Sequence, residues 1–148
     1  MTLEALLASL HLLAMLTLVV FLTSQAALCR AEWLNAAVLE RLPRLHLIYG
    51  LAALLVLVTG AVRVFWGIKG LSWYASQPLL HLKITLFVLM AGMALPTGRA
   101  FRLWRETCRA TGALPDAAEL RRVRRWVMWQ AHLLPVIPVI AVFWARGW

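Results

Sequence analysis

Four side chains combine chemical reactivity with an apolar setting: His11, Arg63, His81 and Lys83. The last two stand two residues apart in PLLHLKITL, Pro78 to Leu86, which opens a strongly apolar segment. An ionisable side chain inside a membrane segment costs a few kcal/mol on insertion scales, so it faces a partner, a cavity or a ligand rather than lipid. Neutral imidazole is an axial ligand for haem iron, and a helix bundle places such ligands in its core from facing helices. Lys and Arg beside it would pair with the carboxylates of a flat tetrapyrrole. The competing account is plainer: Lys83 snorkels to the headgroups and His81 sits at the interface.

Positioning these groups requires a membrane scaffold, and the composition supplies one. Hydrophobic residues make up 63% of the 148, with mean hydropathy +0.79, against roughly 45–50% apolar in globular chains. About 20 apolar residues cross a bilayer core, and four segments qualify, near residues 5–28, 45–65, 79–98 and 126–145. Backbone satisfaction in lipid makes each a helix, so the expected fold is an all-α, four-helix transmembrane bundle in one integral membrane domain. The N-terminus carries Glu4 and no early Lys or Arg, unlike the basic start of a signal peptide, so the first span is expected to be retained.

Only 14% of residues are charged, yet the net charge is +9. Eleven arginines crowd the first and third connections, among them Arg44, Arg102, Arg105 and Arg109; this points to anionic lipid headgroups rather than nucleic acid. The positive-inside rule then puts those connections in the cytoplasm and both termini outside. Trp33 reads as an interfacial anchor, as do Trp66, Trp73 and Tyr74 in the GIKG loop. Arg99 to Arg125 form a basic helical extension, broken at Gly112 and Pro115 and reopened by Asp116 and Glu119 as a capping box. Pro135 and Pro138 are expected to kink the last span. With no C-x-x-C-H site, any haem is held non-covalently, and Cys29 and Cys108 near the reducing side are not expected to pair.

Depth counting brings the reactive groups together. His11 and His81 lie at equal sequence distances from the cytoplasmic ends of their helices, at Leu28 and Gly98. Lys83 lies about 3 Å deeper, and Arg63 enters the same layer. His81 and Lys83 project about 200° apart, so they serve different neighbours. A zinc site is disfavoured, for it wants three or four ligands and the layer offers no carboxylate beyond Glu4. At the other end, His46 starts the second span and His132 lies within the fourth; boundary position and local carbonyls account for these two more readily than ligation. A stripe of Ala53, Gly60 and Gly67 lets a helix, a flat ligand or a second copy approach closely.

RLHLIYGLAALLVLVTG, the GIKG loop, the His81 to Lys83 motif and LPDAAELRRVRR resemble a bacterial family of small predicted membrane proteins without an assigned function; the resemblance covers nearly the whole chain and implies the bacterial inner membrane. More distantly, the first-helix histidine and the His-x-Lys opening of the third helix resemble the HemJ-type protoporphyrinogen oxidases. That resemblance lands on His11, His81 and Lys83 and implies haem b or porphyrin binding with oxidoreductase activity. Where that family has Lys before the first histidine and Trp before the second, this chain has Ala8 and Leu79. The resulting expectation is a haem b or porphyrin-binding redox protein, with His11 and His81 toward iron and Lys83 and Arg63 toward anionic groups. The alternative is a non-enzymatic bundle or small transporter-type subunit whose polar layer is structural.

Overall fold

The computed structural model describes residues 2–65 and 76–145. The loop aromatics Trp66, Trp73 and Tyr74, its glycines Gly67 and Gly70, and Lys69 and Arg146 lie outside the described residues. Five helices follow in order: α1 (Thr2–Leu28), α2 (Ala36–Phe65), α3 (Pro78–Thr111), α4 (Ala117–Leu133) and α5 (Val136–Ala145). α1, α2 and α3 are each long and apolar enough to cross a bilayer, and α4 with α5 supplies a fourth such stretch, Ala117–Phe143. No strand occurs among the described residues. The all-α, four-span expectation is met.

Local chemistry sets the helix ends. Asn35 opens α2 by accepting the Val38 N–H on Oδ1 at 3.0 Å, which satisfies one of the orphan donors of a first turn. α2 therefore starts nine residues before the expected position 45, and Pro43 sits inside it. The proline forfeits one backbone bond, but buried Leu39 and Leu42 hold this first part of the helix in place. α3 ends at Gly112, whose φ of 73° is the left-handed conformation that glycine adopts without a Cβ penalty, and whose N–H closes on the Cys108 carbonyl. Asp116 caps α4, its Oδ1 accepting from Ala118 at 2.7 Å and Glu119 at 2.8 Å. The fourth span does not merely kink: α4 stops at Leu133, and α5 resumes after Pro135.

The spans close a ring in chain order, α1 against α2, α2 against α3, α3 against α4 and α5, and α4 back against α1. Burial is uneven along it. Leu22, Cys29, Leu39, Leu42, Phe101, Trp104, Val123 and Val127 are all buried in the half nearer the arginine-rich connections. In the opposite half the buried set thins to Ala14, Leu18, Ala52, Thr59 and Met90. Outward leucines and valines such as Leu13, Leu51, Val88 and Val139 are exposed, as a lipid-facing surface requires.

At the arginine-rich end, Glu40 of α2 receives a forked bond from Arg109 of α3, Nε to Oε1 and Nη2 to Oε2, both at 2.6 Å. Arg30 stacks on Trp33 with its guanidinium carbon 5.8 Å from the ring centroid, and Trp33 is exposed as an interfacial anchor would be. Cys29 and Cys108 are both free thiols.

Candidate functional site: two histidines and a cavity

His11 of α1 meets Thr59 of α2, Nδ1 to Oγ1, at 2.7 Å. The Thr59 hydroxyl already donates to the Leu55 carbonyl at 2.6 Å, so its oxygen accepts and His11 Nδ1 carries the proton. The Val56 carbonyl of α2 also borders the ring. The ring lies against Gly60, where a Cβ would stand 3.6 Å from His11 Cε1. Arg63 and Lys83 both lie within electrostatic reach of His11 and of each other. The structure thus gathers three of the four expected residues. His81 is different: its side chain is exposed while Lys83 is half-buried, in keeping with their divergent projections.

The second histidine is the one the sequence undervalued. His46 is half-buried, with Nδ1 2.8 Å from Gln25 Oε1 on α1. Gln25 spends its own N–H on the Phe21 carbonyl at 3.0 Å, so its oxygen accepts from His46. The far edge of the ring faces α3: a Cβ on Gly98 would lie 2.6 Å from both Cδ2 and Nε2, and the Ala94 carbonyl borders the same edge. Glycine at 98 is what lets the edge of the imidazole come this close to the α3 backbone.

An aromatic and amide network surrounds His46. Its ring stands 5.7 Å from Tyr49 and, edge-on, 5.7 Å from Phe101, which in turn contacts Trp104. Tyr49 donates to Gln130 Oε1 at 2.9 Å, and Gln130 Nε2 returns a bond to the Trp126 carbonyl at 3.2 Å. Gln25, Tyr49 and Gln130 are all buried, so this one layer joins α1, α2, α3 and α4. Two amides within otherwise apolar spans were the available signal for it. His132 is exposed and donates to its own helix at the Met128 carbonyl, a local arrangement.

Next to this layer the helices part around a cavity of about 1000 Å³. That volume stands at the upper end of the roughly 300–1,000 Å³ typical of ligand pockets. Its walls are mainly apolar, with Leu18, Phe87, Met90, Leu134 and Ile137 among them; His46 and Tyr49 are polar members, and Arg44, Arg102 and Arg105 stand at one end. His11, Arg63, His81 and Lys83 do not line it; its nearest approach along α1 is Met15, one turn from His11. Among the described residues no group of three or more His, Cys, Asp or Glu is disposed to hold a metal ion.

Four apolar spans, three of them joined by interhelical side-chain hydrogen bonds and α3 packed on His46, define a polytopic, four-helix membrane protein. The model of the DUF2214 family, described as a predicted membrane protein, matches residues 3–148, and the chain belongs to that family. No curated protein and no solved structure matches it.

Proposed function

We propose that the protein binds a tetrapyrrole, haem b or an iron-free porphyrin, within its membrane bundle and serves a redox role. The observation that carries this reading is the cavity of about 1000 Å³, large and apolar enough for a flat macrocycle and walled by aromatic, methionine and small side chains. The distant resemblance of His11, His81 and Lys83 to the HemJ-type pattern is a further, weaker support. By the positive-inside rule the arginine-rich end faces the cytoplasm of a bacterial cell and both termini face outward.

The donor set discriminates between the two ligands. His46 lines the cavity but presents Nε2 to the α3 backbone, so it offers iron no free nitrogen. His11 is held by the Thr59 bond to Nδ1, an arrangement also found in metal-binding histidines, but the Val56 carbonyl borders its ring and it lies one turn beyond the cavity wall. The macrocycle and its carboxylates therefore fit the cavity residues better than the iron does. If haem is held, His11 would have to be reached beyond the cavity wall to serve as its ligand, and the iron would supply the electron chemistry.

Detergent-purified protein titrated with haem and with protoporphyrin tests the reading. Saturable binding of either is expected, with His11→Ala shifting the Soret band only in the haem complex. Absence of binding by both ligands would overturn it. A second reading, a bundle whose polar groups are purely structural, is favoured by one observation: His11, His46 and Tyr49 each hydrogen-bond a side chain on another helix. It requires that neither ligand binds and that the same substitutions still lower stability.

A further inference from the structure

We propose that Arg105, with Arg44 and Arg102 beside it, is a carboxylate clamp that orients an apolar-bodied anionic ligand with its charged end toward the arginine-rich face. The inference rests on the tetrapyrrole reading and reassigns the partner of the anionic groups away from Arg63 and Lys83. All three arginines line one end of the cavity, whereas Arg63 and Lys83 do not line it at all. The Arg105 Nε is buried and has no hydrogen-bond partner among the described residues. An enclosed guanidinium N–H without an acceptor is costly, and a carboxylate entering the cavity would supply one, through a charge-assisted bond, once the Arg105 side chain turns toward it.

The acid closest to hand is already committed. Glu40 lies within electrostatic reach of Arg44, Arg105 and Arg109, but its hydrogen bonds among the described residues go to Arg109 alone. Three guanidiniums around an apolar cavity thus face one neutralised carboxylate. Charge complementarity selects an occupant with an acidic end and an apolar body, and the planar fork of arginine suits carboxylate geometry.

The test compares protoporphyrin IX with its dimethyl ester, by fluorescence titration of the full chain in nanodiscs of zwitterionic lipid. Wild-type protein is expected to prefer the free acid, and Arg105→Gln to weaken the free acid by about tenfold or more while leaving the ester unchanged. Retained ester binding shows that the variant is folded, and Arg105→Lys should recover part of the loss. Equal affinity of the wild type for acid and ester overturns the clamp and leaves tetrapyrrole binding standing. So does a loss seen in Lys83→Gln but not in Arg105→Gln. Loss of the acid preference when phosphatidylglycerol replaces the zwitterionic lipid also overturns it, since the arginines would then be a headgroup site. Failure to bind either porphyrin removes both readings together.

Discussion

The two half-buried histidines are built on one plan and put to different use. Each directs Nδ1 at a neutral oxygen on a neighbouring helix, Thr59 for His11 and Gln25 for His46, and each lays its ring on a glycine. Around His11 the clearance is ordinary, two helices take part, and the charged neighbours are cations. Around His46 the fit is tight, α1 and α3 both press on the ring, and buried amide and phenol groups extend the contact to the fourth span. The first ring is held with room to spare, whereas the second is packed between helices. Sequence context alone set His46 aside as a boundary residue and did not show how closely it is packed.

Substituting the two glycines gives the largest expected difference. Gly98→Ala drives a methyl into His46 and should cost about 1–3 kcal/mol of overpacking, while Gly60→Ala, with van der Waals clearance, should stay within about 0.5 kcal/mol of wild type. Thermal unfolding in detergent measures both, and equal effects would break the comparison. Next comes Tyr49→Phe, which strands the buried Gln130 oxygen and should cost about 1 kcal/mol. Thr59→Val removes the partner of a less buried histidine and should cost less, about 0.5 kcal/mol in the same assay.

Thiol labelling reads the same asymmetry without substitution. Burial pushes the Cys29 thiol up to about 12 against a minor opposing effect of Arg124, so maleimide should label half-buried Cys108 in the native protein and reach Cys29 only on unfolding. Early labelling of Cys29 would show the arginine-rich half to be looser than its packing implies.

The smallest effect concerns acid. The Asp116 carboxyl is held below its usual value by the N–H groups of Glu119 and Ala118, and then by Arg122 and Arg121. A group whose folded value is depressed contributes fully above its unfolded value and loses that contribution as pH falls through the folded one. Wild type should therefore lose stability on acidification below about pH 4 relative to Asp116→Asn, whose cap does not titrate. Parallel pH profiles for the two proteins would rule the cap out as the source.

Much of the architecture was legible because lipid leaves the backbone few choices: four apolar runs had to be four helices. The Asp116 cap and the gathering of His11, Arg63 and Lys83 were legible for similar reasons, since caps and depth follow from spacing. His46 was not. Hydropathy drew the start of the second span at the arginines and Pro43, which made His46 a boundary residue. Asn35 instead starts the helix earlier, and that carries His46 past its first turns to face Gln25 just before the α1 turn. Nor was the cavity legible, for it depends on how far the helices diverge beyond Tyr49 and on the break before α5, neither of which a single-segment pattern encodes.

The length of α3 has a consequence for how a ligand arrives. Its 34 residues span about 51 Å at 1.5 Å per residue, against a hydrocarbon core of about 30 Å. With its apolar stretch immersed, the part from Gly98 onward projects as a shaft about 20 Å into the aqueous phase. Arg102 and Arg105 sit on the first turns of that shaft, at the level of the headgroups. Under the proposed clamp, a molecule bearing an acid would meet those arginines from water before its apolar body slid between the helices, so capture and insertion would be two separate events on one continuous path.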